Sequence, residues 1–162
     1  MHFARWLLVA IAAASPALAA AQQRYWYDAG VRRALWAETS VVAEFGPTPS
    51  GKSAVLVPAG LEKSAAAQRS PVFRDGPSSG APLRALAGGV IVRVKEGTGA
   101  AEREAQFARL GIVQARPIGA AQRVWFVPSP PGIDGLELAN RLHESGEFAS
   151  ASPNWWKARA LK

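Results

Sequence analysis

A strictly alternating run that begins at Val90 constrains the fold more than any other feature of this sequence. Val90, Val92 and Val94 alternate with Ile91, Arg93 and Lys95. Successive side chains of a β-strand point to opposite faces, so this pattern predicts a strand with one strongly apolar face. Such a strand needs a covering layer on that face.

The segments that follow this strand alternate between helical and extended patterns. Apolar residues at helical spacing predict a first helix that Thr98 caps and Gly111 ends. A second helix is predicted to begin with a capping box at Asp134 and Glu137 and to end at Gly146. The resulting order, β-α-β-β-α-β, is typical of a ferredoxin-like sandwich, in which two helices cover one face of an antiparallel sheet. The three further strands of this prediction are 112–118, 123–127 and 148–151.

The preceding part of the chain predicts a second, smaller unit. Aromatic and β-branched residues around Asp28-Ala29-Gly30 predict a hairpin, and residues 22–58 are interpreted as a small β-rich domain. Residues 59–88 are rich in glycine and proline and are predicted to be a connecting segment, with one short extended piece at 71–74. The expected fold class is therefore α+β, with a ferredoxin-like part preceded by a small β-rich unit.

The first 21 residues have the layout of a secretory signal peptide. Arg5 precedes an apolar run at 6–14, Pro16 breaks that run, and Ala17-Leu18-Ala19 provides a small-residue cleavage site. A transmembrane anchor is the alternative, but the run is shorter than the ~20 apolar residues that span a bilayer. The protein is therefore expected to be exported, to the periplasm or the medium, without membrane attachment after cleavage.

The residue content disfavours an enzyme. The sequence has no cysteine, and His143 is the one histidine beyond residue 21. A hydrolytic triad or a metal site needs several such residues at defined spacings, so neither catalysis nor a cofactor or metal is expected. The formal net charge is +7, but the basic residues are spread along the chain rather than clustered between stacking aromatics. This favours an acidic protein partner over nucleic acid.

Two groups of aromatic residues are candidate contact surfaces. The run at 25–27, Tyr-Trp-Tyr, is more typical of a strand core with one exposed ring than of a cage for a cation or a sugar. Trp155 and Trp156 follow the last predicted strand, and adjacent tryptophans in this position suggest a binding surface. The alternative, that one of the two folds back onto the core, is equally compatible with the sequence.

Residues 89–156 resemble the propeptide of subtilisin-like proteases. The opening strand at 89–95, the first helix ending at Leu110-Gly111 and the spacing of Leu136, Ala139 and Leu142 carry the likeness. At the end of this region, the matching residues are Ala151, Pro153, Asn154 and Trp155. Ser152 departs, because the family usually has an acid there, which puts a contact of that position with the protease in doubt.

Together with the Tyr-rich hairpin, this region resembles the ASP external chaperone family, whose members are made separately from the protease. This sequence continues for eight residues after Asn154, so the protease is expected to be a separate chain. The resemblance implies an intermolecular chaperone and inhibitor of a secreted subtilisin- or kexin-like serine protease, monomeric when free and a 1:1 heterodimer when bound. The open sheet face would dock, and residues 157–162, the tail, would enter the active-site cleft.

The resemblance also implies the contact residues. Lys162 would lie where the residue before a scissile bond lies, so the protease is expected to prefer a basic residue there. The predicted protease-binding residues are Pro153, Asn154, Trp155, Trp156, Arg159, Ala160, Leu161 and Lys162. Two other functions remain open: a pure inhibitor without a folding role, and an exported ferredoxin-like module that binds a small molecule or an envelope component.

Overall fold

The computed structural model describes residues 23–46, 53–61 and 68–158. This part of the chain is a mixed α and β structure, in which all the strand pairs are antiparallel. The elements are β1 (Tyr25–Asp28), β2 (Val31–Ala34), β3 (Trp36–Gly46), β4 (Ser53–Pro58), β5 (Gln68–Arg74), β6 (Leu83–Arg93), α1 (Ala100–Arg109), β7 (Arg116–Ile118), β8 (Val124–Val127), α2 (Ile133–Glu144) and β9 (Ser150–Lys157).

The C-terminal elements form a four-stranded region with two helices on one face. The strands lie in the order β9-β6-β8-β7. Val90 and Val92 of β6, and Val94 directly after it, pack with Phe107 of α1 and Leu142 of α2, which places both helices on the same face. The alternation that begins at Val90 therefore buries its even positions, as expected.

The N-terminal strands extend this sheet rather than form a separate domain. β1 and β2 pair as the predicted hairpin, but β3, β4 and β5 join the larger sheet, and β5 pairs directly with β6. Because β9 pairs along the whole length of β6, β5 and β8 follow one another on the other edge of that strand. A second apolar cluster lies where these N-terminal strands meet β6, and it contains Ala43, Phe45, Val72, Ala85 and Ala87.

Strands lie where the sequence predicts a connecting segment at 59–88. β5 spans Gln68–Arg74, and β6 begins at Leu83 rather than at residue 89. Alanine and glycine dominate residues 85–89 and have weak strand propensity. Here β5 and β9 pair with the first part of β6 on opposite edges, and burial between them compensates for that weak propensity.

The last strand also differs from its predicted extent. β9 continues through Pro153 to Lys157, whereas the sequence predicts a strand that stops at residue 151. Proline has no N–H, but β9 pairs with β6 alone among the described strands, so its other edge has no ladder bond to lose. The predicted strand at 112–118 is reduced to Arg116–Ile118.

Both helices begin without the predicted side-chain caps. α1 is capped by Gly99 rather than by Thr98, and α2 by Gly132, two residues before the start of the predicted capping box at Asp134. Neither cap makes a side-chain hydrogen bond. In place of the box, the N–H of Gly132 donates to Leu86 O at 3.2 Å, which ties the start of α2 to β6. Neither of the described helices is long and apolar enough to cross a membrane.

Two consecutive glycines bend β6 in its middle. Gly88 and Gly89 both have positive φ, +87° and +81°, a region that other residues adopt only at a cost. The register between β6 and β9 shifts at this point, between Leu86 and Val90. The bulge lets the two halves of β6 belong to differently oriented parts of one sheet.

Candidate functional site

The face of the sheet opposite the two helices is largely uncovered between β9 and β7. Its residues follow from the strand register, because the odd positions of β6 point away from the helices. Two rows cross the four strands. One row is Ser152, Ile91, Phe126 and Arg116, and the other is Ser150, Arg93, Val124 and Ile118. We call these eight residues the open face.

The open face has an apolar centre and a basic rim. Ile91 and Phe126 are half-buried neighbours, whereas Arg93 and Arg116 are exposed. The guanidinium of Arg116 lies 4.5 Å from the centre of the Phe126 ring. Of the eight positions, two are arginines and none is acidic. A surface of this kind favours an acidic partner surface with an apolar centre.

The Phe126 ring occupies its place because residue 89 has no side chain. A Cβ at Gly89 would lie 2.2 Å from two ring carbons of Phe126. On the neighbouring segment, the Ser129 hydroxyl accepts a hydrogen bond from the Gly89 N–H at 2.9 Å. The bend in β6 and the central aromatic side chain of the open face therefore depend on each other.

β9 contains four of the eight predicted contact residues, at 153–156, and pairs with β6. Pro153 is buried opposite Val90, and the Asn154 amide Nδ2 donates to Gly88 O at 3.0 Å. This bond satisfies a carbonyl in the bulge, where the backbone ladder is interrupted. After Lys157, the N–H of Ala158 donates to Leu83 O at 3.0 Å. The backbone is thus held to β6 as far as residue 158.

Both tryptophans predicted as partner contacts pack against the protein's own core and are half-buried. Trp155 lies on the helix side, edge-on to Trp26 with ring centroids 5.4 Å apart, and 6.3 Å from Phe73. Trp156 lies on the other side, against the second apolar cluster. The four remaining predicted residues, Arg159, Ala160, Leu161 and Lys162, lie outside the described residues, as does the predicted signal segment.

The Tyr-rich hairpin is fastened to α2. The hydroxyls of Tyr25 and Tyr27 donate to the same Glu144 oxygen, at 2.8 and 3.0 Å. Tyr27 also stacks on His143, with ring centroids 4.0 Å apart. The hydrogen bond to Glu144, with a smaller contribution from burial, raises the pKa of Tyr25. Burial, followed by the bond to Glu144, raises the pKa of Tyr27.

A polar groove lies between this hairpin and α2. Its volume is about 680 Å³. Arg24 and Glu137 form an ion pair of 3.5 Å across it, and Asn140 Nδ2 donates to Tyr25 O at 2.9 Å. The lining residues are Gln23, Arg24, Tyr25, Arg32, Leu136, Glu137, Asn140, Arg141 and Glu144. Within the described ranges, no group of three or more metal-ligating side chains is placed to hold an ion.

Sequence reasoning anticipated an open sheet face but not its individual residues, and it missed the buried arginine beside Trp155. Ile91 and Arg93 could be assigned to this face from the alternation alone, since they occupy the odd positions of the predicted strand. Arg84 carried no such signal, because its burial depends on Trp26 and Trp155, which are distant in sequence.

Comparison of the chain with protein-family models, with curated proteins and with solved structures found no match.

Proposed function

We propose that this protein is an exported chaperone and inhibitor of a subtilisin-like serine protease. In this proposal the open face docks on the protease, and residues 159–162 enter the substrate cleft. The predicted tail began at residue 157, but Lys157 belongs to β9 and the N–H of Ala158 donates to Leu83 O, so we restrict the tail to residues 159–162. The observation that carries the proposal is the combination of an uncovered, apolar-centred sheet face with a neighbouring strand, β9, that is held to β6 as far as Ala158. A rigid body that holds a flanking segment in one position reduces the entropy lost when that segment binds.

The strand order supports treating residues 83–158 as a ferredoxin-like sandwich of the propeptide type. β6, β7, β8 and β9 are the first to fourth strands of this region, and their spatial order is fourth, first, third, second. A split βαβ arrangement has this order when both crossover helices cover one face. In that arrangement the opposite face is free to bind a partner of standard interface size, ~800 Å².

The tail would act by adding a strand to the edges of the cleft. An extended peptide gains main-chain hydrogen bonds in this way, and its side chains occupy successive pockets. Four residues beyond Ala158 reach about 14 Å when extended. Arg159 and Lys162 would then supply the charges that a protease specific for basic residues recognises.

Docking and tail insertion are tested separately with a secreted subtilisin-like protease from the same genome. A tail-replaced variant, with residues 159–162 changed to Gly-Ser-Gly-Ser, is expected to inhibit at least tenfold less while still binding. Arg93→Glu on the open face is expected to slow association about tenfold at low salt, because a charge on the interface rim acts mainly on the association rate. Arg141→Glu, an exposed substitution on α2, is the matched control.

The outcomes distinguish the candidate roles. Unchanged inhibition by the tail-replaced variant would refute tail insertion, and equal effects of Arg93→Glu and Arg141→Glu would refute docking by the open face. Refolding of the denatured protease with and without this protein separates a chaperone from a pure inhibitor. Only a chaperone raises the yield of active enzyme once the inhibitor is removed.

A second candidate function is an exported binding module for a small molecule or an envelope component. The observation that favours it is the polar groove between the hairpin and α2, where three arginines and Asn140 line the walls. This function predicts ligand-dependent thermal stabilisation that Asn140→Ala abolishes, together with no effect on any subtilisin-like protease.

A further inference from the structure

A cluster of buried side chains joins the N-terminal strands to the segment that leads into the tail. It consists of residues from five elements and the loop between β2 and β3, and we call it the anchor cluster. Its members are Trp26, Leu35, Phe73, Leu86 and Leu136, with Ile133 and Trp155 packed against them. Trp26 comes from β1 and Phe73 from β5, both of which precede the propeptide-like region.

The side chain of Arg84 also packs against this cluster. Its side chain is 6% exposed, and its guanidinium lies 4.5 Å from the Trp26 ring centre and 5.0 Å from that of Trp155. It forms an ion pair with Asp75, at the start of the β5–β6 loop. A desolvated cation that lies against two indole rings attracts both, so Arg84 links the first described strand to the last.

The backbone around Arg84 holds the same segment. Arg84 is the register partner of Lys157, and the N–H of Ala158 donates to the carbonyl of the adjacent Leu83. The position of the last described residues, Lys157 and Ala158, is therefore set where β6 and β9 pair. On the helix side, this pairing is packed by Leu136 of α2 and by two side chains from the N-terminal strands, Trp26 and Phe73.

We propose that the N-terminal strands position the tail, with Trp26 and Arg84 as the positioning residues. This inference rests on the proposed function for what the tail does, and adds a role for the part of the chain that precedes the propeptide-like region. Loosening the anchor cluster lowers the fraction of molecules whose tail is directed correctly. The apparent affinity contributed by the tail falls by that fraction.

The test compares two tryptophan substitutions of similar burial. Trp26→Leu removes the indole that contacts Trp155, whereas Trp125→Leu removes one that packs with Phe107 in the other core cluster. The two residues are 8% and 9% exposed, so the general loss of packing is matched. Each substitution is made in the full chain and in the tail-replaced variant. Inhibition of the protease and amide hydrogen exchange at Lys157 and Ala158 are measured for these four proteins and for the two parents that retain both tryptophans.

Trp26→Leu is expected to weaken inhibition about tenfold in the full chain and less than twofold in the tail-replaced variant. It is also expected to accelerate exchange at the Ala158 amide at least tenfold, whereas Trp125→Leu leaves that amide protected. Trp26→Phe, which retains an aromatic ring, is expected to keep most of the inhibition and most of the protection of the Ala158 amide.

Equal losses in the full and tail-replaced chains would overturn the positioning role, as would an Ala158 amide that stays protected in Trp26→Leu. Should no variant, including the unsubstituted chain, inhibit the protease, the proposed function fails. The exchange measurement then still decides whether Trp26 holds residue 158, because it needs no partner.

Discussion

Substitution of Gly89 by alanine tests the packing at the centre of the open face. Two costs add at this position. The residue has φ of +81°, where a side chain costs about 1–2 kcal/mol. The new Cβ would also lie 2.2 Å from the Phe126 ring, and forced overpacking of this kind costs about 1–3 kcal/mol. The expected loss in the free energy of unfolding is therefore about 2–5 kcal/mol.

Gly146→Ala is the matched control for the backbone term. Gly146 has φ of +67°, but a Cβ there would meet nothing within 4 Å. Only the cost of the left-handed conformation applies, so the expected loss is about 1–2 kcal/mol. Urea unfolding followed by tryptophan fluorescence gives both values from the transition midpoints, provided that the slopes are unchanged.

A double-mutant cycle isolates the collision. Phe126→Val removes the two ring carbons that the new Cβ would contact, so Gly89→Ala in that background is expected to cost about 1–3 kcal/mol less than in the unsubstituted protein. If Gly89→Ala costs no more than Gly146→Ala, or if Phe126→Val brings no relief, Phe126 does not lie over residue 89. The described composition of the open face would then be incorrect.

Two further predictions concern the core and the hairpin. Leu142 is fully buried against Val90 and Val92, so Leu142→Ala is expected to cost about 2–5 kcal/mol in urea unfolding, while Val113→Ala, at a 93% exposed position, stays within about 0.5 kcal/mol. The pKa values of Tyr25 and Tyr27 are raised above 10.0 in the folded protein, so the stability that they contribute is present below pH 10 and is lost as the pH rises through the folded values. The urea midpoint is therefore expected to fall further between pH 7 and pH 11 for the unsubstituted protein than for a Tyr25→Phe, Tyr27→Phe variant. Equal falls in the two proteins would contradict the contact with Glu144.

Local patterns were sufficient to predict several elements of the fold. The alternation at Val90, Val92 and Val94 identified the buried face of β6, and helical spacing identified α2 with Leu136, Ala139 and Leu142 on its buried side. The hairpin β1–β2 was also predicted, because aromatic and β-branched residues surround a short turn. In each case the physical determinant is the period of side chains along one element, which lies entirely within that element.

The remainder was decided by contacts between distant segments. Strand propensity at 85–89 is low, and Pro153 should end a strand, yet both segments are extended because each is the other's partner across the bulge at Gly88-Gly89. Trp155 and Trp156 were equally compatible with an exposed surface and with the core. Their partial burial depends on partners on the two faces of β9. Trp155 packs with Trp26 and Phe73, and Trp156 packs against the second apolar cluster.

The candidate site likewise depends on both local patterns and contacts between distant segments. The alternation along β6 is enough to predict that Ile91 and Arg93 share the face that points away from the helices. The positions of Phe126 and Arg116 beside them, and of Arg84 against the rings of Trp26 and Trp155, depend on contacts that exist only in the folded protein. Register and burial are properties of paired strands, because a side chain's neighbours across a sheet come from segments that no local repeat can specify.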